Sequence, residues 1–310
     1  MVVTQLKRDA WGLDIKFDSA IDGKIVFEVP LHLTGFFYPV FDVTPERTGS
    51  LGAGLVIRPG LHCTLSTGEG LWFRNRALVE GPAYELYKSL GEGLSISLDG
   101  DCMPGAGYGF SAASTLAVAA CAVLARRVDP VEAAIQAHNS EVRNRTGLGD
   151  VSAIWSGYGL AIRKKAGAPT IGVVESLSIG DNVEIVTSEL GRLSTESLLS
   201  RYGEKIAEVG REVYREFLKD TSLEAFLTLA NRFSREIGLV DERLEALLKP
   251  FSRHILGWYV KKRVLVVVTE KSEAPEFAKN IGPKLKVVRL FTPSEEVWKR
   301  YLETILATRH

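Results

Sequence analysis

The segment Pro104-Gly105-Ala106-Gly107-Tyr108-Gly109-Phe110-Ser111-Ala112-Ala113 joins a loop with glycine at every second position to a run of small helix-forming residues. This is a spacing suited to holding phosphate. Alternate glycines reach backbone conformations closed to other residues and approach an anion closely, and a following helix aims its free amides and positive dipole end at the same anion. Ser111 offers a hydroxyl beside the phosphates. The bland reading is a glycine turn that merely lets a helix pack against a strand. The loop is not a Walker motif, because no lysine follows the last glycine; Arg126 and Arg127 lie beyond the helix-forming run. A second candidate is the turn Thr146-Gly147-Leu148-Gly149-Asp150, whose carboxylate either serves chemistry or closes the turn.

These residues need elements to carry them. Short β-rich stretches are expected at Leu13–Phe17, Ile25–Val29, Leu55–Arg58 and Leu61–Ser66, punctuated by Gly23, Pro30 and Pro59-Gly60. A helix over Pro82–Leu90 and a strand over Leu94–Leu98 lead into the glycine loop, the strand–loop–helix context that an anion site requires. Asp129, Pro130 and Glu132 open the next helix as a capping box with the favoured proline placement. It runs to about Asn144, with a stripe of Val131, Ala134, Ile135, His138 and Val142 that leaves Glu141 on its edge.

Tyr158–Arg163 reads as a strand, after which a Lys/Gly/Ala/Pro stretch at 164–169 marks a domain boundary, dividing the chain into 1–165 and 166–310. Strands at Ile171–Val174, Val183–Val186, Val264–Val268 and Lys286–Leu290 alternate with helices at Ser197–Lys219 and Leu223–Ile237. A last helix is expected behind the cap Thr292-Pro293-Ser294-Glu295. The fold class is therefore α+β, with a β-rich N-terminal domain and a C-terminal α/β sandwich.

At 310 residues the chain exceeds the size of a single core, which fits two domains with a cleft between them. Lys plus Arg and Asp plus Glu number 38 each, so no global field recruits nucleic acid or an anionic membrane. Three cysteines without metal-ligand spacing read as reduced core residues of a cytoplasmic protein. The first 20 residues carry no apolar signal-peptide region, and the apolar run Ala112–Ala125 is too short to cross a bilayer. Sparse Gln and Met beside many Lys, Arg and Glu suit a thermophile. Monomer and homodimer both stay open.

Gly107-Tyr108-Gly109-Phe110-Ser111-Ala112 resembles the second motif of the GHMP kinases, Pro-x-x-x-Gly-Leu-Gly-Ser-Ser-Ala. The loop departs from it in the spacing of Pro104 and in Phe110, which replaces the first serine. Val29-Pro30-Leu31-His32-Leu33-Thr34-Gly35-Phe36-Phe37, Gly49-Ser50-Leu51-Gly52-Ala53-Gly54 and Arg145-Thr146-Gly147-Leu148-Gly149-Asp150-Val151 extend the resemblance over most of residues 25–163 and narrow it to the archaeal pantoate kinases. The family's Gly-rich third motif is missing, Ile255-Leu256-Gly257 being the nearest candidate.

The resemblance implies transfer of the γ-phosphoryl group of ATP to the terminal hydroxyl of pantoate, with magnesium. It implies phosphate binding by Pro104 through Ala112, Asp150 as catalytic base, and Ser111 and Glu141 as magnesium ligands. His32 and Thr34 then line the acceptor site, and Arg145 is a donor fork for the acceptor carboxylate. Each role has a structural alternative: a satisfied core histidine, a solvated helix-edge glutamate, an exposed arginine ion pair. Phe36, Phe37 and Tyr38 either wall the pocket or pack in the core. Homoserine, shikimate and mevalonate are rival acceptors, and a catalytically silent metabolite-binding protein is the rival class.

Overall fold

The computed structural model describes residues 24–285 and 287–307, so the strand expected at Leu13–Phe17 lies outside the described residues. The first half contains β1 (Ile25–Val40), β2 (Gly49–Ser66), β3 (Gly70–Phe73), β4 (Arg76–Ala77), α1 (Pro82–Leu86), β5 (Ser95–Asp99), α2 (Phe110–Leu124), α3 (Pro130–Arg143), α4 (Asp150–Ser156) and β6 (Leu160–Lys165). The second contains β7 (Val173–Leu177), β8 (Val183–Glu189), α5 (Thr195–Phe217), α6 (Leu223–Glu236), α7 (Glu242–Leu248), β9 (Gly257–Lys261), β10 (Val264–Glu270), α8 (Ala274–Ile281), β11 (Val288–Pro293) and α9 (Trp298–Ala307).

A sheet runs β4-β3-β5-β2-β11-β8-β10-β9, with β1 along the long strand β2 and the pair β6–β7 attached to it. Only β3–β5 is parallel among these pairings. β11 ties the halves together, because Val288–Phe291 pairs with β8 while Thr292 and Pro293 pair with Arg58 and Ile57 of β2.

β1 and β2 run unbroken where separate short strands were expected. Gly60 explains it: a Cβ there would lie 2.0 Å from the Val29 carbonyl oxygen, so the absent side chain lets the two strands close through the Pro59-Gly60 step. The Glu28 carboxylate then accepts from Gly60 N at 2.9 Å and from Arg58 Nε at 2.8 Å. The inner faces of the hairpin, including Leu31, Leu33, Leu55 and Ile57, form the core with α2. α2 is buried all round from Ala112 to Leu124, as a helix without a polar face must be. Phe36 packs against Phe217 of α5 and Phe226 of α6, with ring centroids 5.3 and 5.8 Å away. Cys63, Cys102 and Cys121 are free and buried.

Three further expectations are corrected. Thr292 and Pro293 belong to β11 and do not cap α9, because edge pairing with β2 claims their backbone. β7 begins at Val173 and pairs with β6, the intervening chain turning at Gly167 with φ 128°. On α3 the expected cap forms, Asp129 Oδ1 accepting from Val131 N at 2.8 Å. The buried face, however, is rotated from the expected stripe toward Ala134, Ala137, His138 and Glu141, because the alanine-rich surface of α2 lies there. Glu141 is therefore inside the protein.

Candidate active site

The glycine loop adopts the geometry its composition suggests: Gly105, Gly107 and Gly109 have φ of 80°, 136° and 75°, and Gly109 is the left-handed N-cap of α2. Alanine at these angles would be strained. An open cavity of about 950 Å³ lies before the loop, lined by Pro104, Gly105, Gly107, Gly109, Phe110 and Ser111. Ala106, Tyr108 and Ala112 turn inward: Ala106 and Ala112 are buried, and Tyr108 is in the core with its hydroxyl 2.9 Å from Thr187 Oγ1. Phe110, in place of the serine, packs edge-on against Phe73.

At the floor of this cavity Ser111 Oγ donates to Glu141 Oε1 at 2.5 Å, joined by Thr115 Oγ1 at 3.3 Å. Gly147 is a glycine here by necessity, since a Cβ would lie 2.6 Å from Glu141 Oε2. Burial raises the Glu141 pKa to about 7, the Ser111 hydrogen bond opposing it, and the charge of Asp150 adds to the rise. A buried carboxylate so disfavoured as an anion gains from a cation beside it. Among the described residues no three His, Cys, Asp or Glu side chains cluster as a metal cage. The Ser111 hydroxyl and the Glu141 carboxylate are oxygen donors of the kind magnesium takes.

Asp150 opens α4, yet its carboxylate leaves the helix end. Oδ1 accepts from His32 Nδ1 at 2.7 Å and Thr34 Oγ1 at 3.1 Å, and Oδ2 accepts from Lys261 Nζ at 3.3 Å. The turn-closing alternative is set aside by these bonds. Burial works against ionising Asp150, but Lys261, His32 and Arg163 together hold its carboxyl well below the usual range. It is an anion at neutral pH.

His32 is fully buried, and burial lowers its pKa to about 4 against the pull of Asp150. It is neutral, with the proton on Nδ1 facing Asp150, while Nε2 is buried without a hydrogen-bond partner among the described residues. Gly54 leaves room for it, a Cβ there falling 2.6 Å from Nε2. Folding favours neutral His32, so its protonation opposes folding and stability falls as pH drops from 6.5 toward 4. Replacing His32 with Asn therefore shrinks the stability lost between pH 6.5 and pH 4.5 by about 2 kcal/mol. Denaturant unfolding at both pH values measures it, and equal losses in the two proteins would contradict a neutral His32.

A second cavity of about 600 Å³ opens on the other side of Asp150, lined by Thr34, Phe37, Arg163, Leu198, Phe233 and Lys261 among others. Phe37 thus walls a cavity, whereas Phe36 is core. The two cavities share Thr146, Asp150, Thr195 and Lys262, so Asp150 stands where they meet.

Arg145, expected as a donor fork for the acceptor carboxylate, does not line the smaller cavity. It lies at the rim of the larger cavity, its side chain 75 % exposed and 3.4 Å from Glu196. Arg163 of β6 stands in the smaller cavity instead, buried, with Nε and Nη1 lacking a hydrogen-bond partner among the described residues. Gly149 admits it, a Cβ there lying 2.8 Å from Nε. Sequence reasoning passed over Arg163, although a charge between Ala161-Ile162 and the strand end was a usable signal. Lys261, Lys262 and Thr195 carried none, since each reads as an ordinary turn or helix-start residue.

The description "GHMP kinases N terminal domain" matches residues 77–158, which include the glycine loop, Glu141 and Asp150. The pantoate kinase of Thermococcus kodakarensis is 33% identical over 242 residues, 73% of this chain and 80% of that protein. The chain belongs to the GHMP kinase family. The pantoate kinase of Methanocaldococcus jannaschii is likewise 33% identical, over 69% of this chain and 81% of its own length. A solved structure described as a phosphotransferase related to the CoA biosynthesis pathway superposes with a TM-score of 0.77 at 26% identity, covering 88% of this GHMP kinase and 97% of that chain. Among the described residues no helix is long and apolar enough to cross a membrane.

Proposed function

We propose that this GHMP kinase transfers the γ-phosphoryl group of ATP to the 4-hydroxyl of pantoate, giving 4-phosphopantoate on the archaeal route to coenzyme A. The carrying observation is that two cavities meet at Asp150, one before the glycine loop and one holding a buried arginine without an acceptor. The first suits a nucleotide. The second suits a small hydroxy acid: Arg163 offers its donors to a carboxylate, and Phe37, Leu198, Phe233 and Val260 form an apolar wall for the dimethyl carbon of pantoate. Homoserine would bring its ammonium toward Arg163 and Lys261, a like-charge encounter. We read the chain as two domains, 1–165 and 166–310, with these cavities between them.

In this mechanism Pro104 through Ala112 cradle the phosphates, the inward residues Ala106, Tyr108 and Ala112 acting by fixing the loop's shape. Ser111 and Glu141 would hold magnesium, which neutralises charge on the nucleotide phosphates. Asp150 orients the acceptor hydroxyl and takes its proton as the oxygen attacks the γ-phosphorus. His32, Thr34 and Lys261 hold that carboxylate in one orientation. A depressed pKa is compatible with the role, because a loose transition state has little bonding to the acceptor oxygen, whose proton is lost late and asks little basicity of Asp150.

The purified protein with ATP, magnesium and a panel of pantoate, homoserine, shikimate and mevalonate tests the acceptor. Phosphorus NMR should show a phosphate monoester on pantoate, with turnover at least about tenfold above the other alcohols, the low end of what a single pocket contact discriminates. Turnover of homoserine without pantoate would refute it.

A further inference from the structure

Two neighbouring lysines arrive at this site from the second half of the chain, and the mechanism above uses only one of them. The glycine loop needs a cation from elsewhere, since no Lys or Arg occurs between Pro104 and Ala125. Backbone amides alone leave a triphosphate's charge poorly matched. The nearest third-motif candidate does not supply one: Gly257 opens β9 with its α-carbon against the Leu227 side chain, and Leu256 is 47 % exposed.

Four residues beyond Gly257 the β9–β10 turn lies directly on the loop. A Cβ at Gly107 would stand 2.7 Å from the Lys261 carbonyl oxygen, and Arg263 N donates to Ala106 O at 3.3 Å. Lys261 sends its ammonium to His32 O and Asp150 on the acceptor side. Lys262 borders both cavities, sharing the larger one with Ser111 and Glu141. Its Nζ donates to Thr195 Oγ1 at 2.6 Å, and Thr195 Oγ1 donates to the Thr146 carbonyl of the catalytic turn. The ammonium is thus aimed by a neutral hydroxyl, and among the described residues no carboxylate pairs with it. Lys262 also holds φ 53°, a left-handed backbone in which a lysine is strained and a glycine would not be. Strain retained beside two ligand cavities points to a use for the side chain.

The geometry points to Lys262 as the cation that meets the terminal phosphate of ATP and the phosphoryl group in transfer. It rests on the reading that the larger cavity takes the nucleotide. In the step, the acceptor oxygen bonds to the γ-phosphorus as its proton passes to Asp150. The bond from the γ-phosphorus to the bridging oxygen breaks, and ADP leaves with that electron pair. Lys262 stays protonated throughout, donating to the equatorial oxygens, while Lys261 serves Asp150.

Lys262→Gly, which relieves the backbone, and Lys262→Arg test this in the full-length enzyme. Calorimetry should find ATP bound about tenfold more weakly by Lys262→Gly, the size of one charge-assisted hydrogen bond, with ADP within about twofold of wild type. With saturating ATP, kcat should fall by about 10² to 10³ while the acceptor KM moves less than about threefold, and Lys262→Arg should recover at least about a tenth of the wild-type rate. Equal weakening of ATP and ADP, or a kcat within about fivefold of wild type, would overturn the assignment. Should the glycine variant melt early, Lys262→Gln keeps a donor for Thr195 and carries the same expectations. The binding comparison needs no acceptor, so it stands even if the acceptor is an alcohol other than pantoate; wild-type protein that binds neither nucleotide would instead refute the kinase reading.

Discussion

Asp150→Asn lowers kcat for pantoate phosphorylation by about 10³- to 10⁴-fold, the range expected when a positioned proton acceptor becomes a neutral amide. ATP affinity is unchanged or slightly tighter, because the loop amides are untouched and a negative charge facing the phosphates has gone. The substitution also removes the anion that Lys261 and His32 surround. Lys261 tolerates that loss better than most lysines would: burial already lowers its pKa to about 8, so it can shed its proton when unpaired. The variant should fold, with a lower melting temperature. Steady-state kinetics with nucleotide binding decides it: a kcat within about tenfold of wild type removes Asp150 from the chemistry, and joint loss of activity and ATP binding makes it structural.

Arg163→Met is the second large effect, and its two readouts move in opposite directions. The KM for pantoate rises by about 10²-fold, the equivalent of losing a charge-assisted pair to the substrate carboxylate. Stability without substrate holds or rises, because Nε and Nη1 are buried without acceptors and a thioether of similar length relieves that burden. Burial already pulls the Arg163 pKa down, which expresses the same cost. Lys in its place should not restore the KM, since one ammonium cannot present a planar fork. An unchanged KM with a lower melting temperature would show that Arg163 serves the fold alone.

The loop was legible because its chemistry is local. Gly105, Gly107 and Gly109 announce positive φ whatever surrounds them, and the alanine run after Ser111 announces a helix buried on all faces. Asp129 with Pro130 likewise declared the start of α3. The face that α3 buries was not legible, because the position of α2 decides it, and Glu141 accordingly moved from a helix edge to the floor of a cavity.

Arg145 and Arg163 make the same point for the site. The sequence singles out the arginine beside the Gly147–Asp150 turn, yet left-handed geometry at Arg145, φ 55°, accompanies an outward side chain near Glu196, whereas Arg163 reaches the cavity from a strand paired with β2. Local residue chemistry thus specified a positive-φ glycine loop ahead of a buried helix, a nearby carboxylate and membership of a kinase family. Which donors surround that carboxylate followed from bringing together His32, Asp150, Arg163 and Lys261, which are separated by as many as 229 residues in the chain. Contacts of that span are set by strand pairing and core packing, and these depend on the whole chain at once; no window of neighbouring residues contains the information.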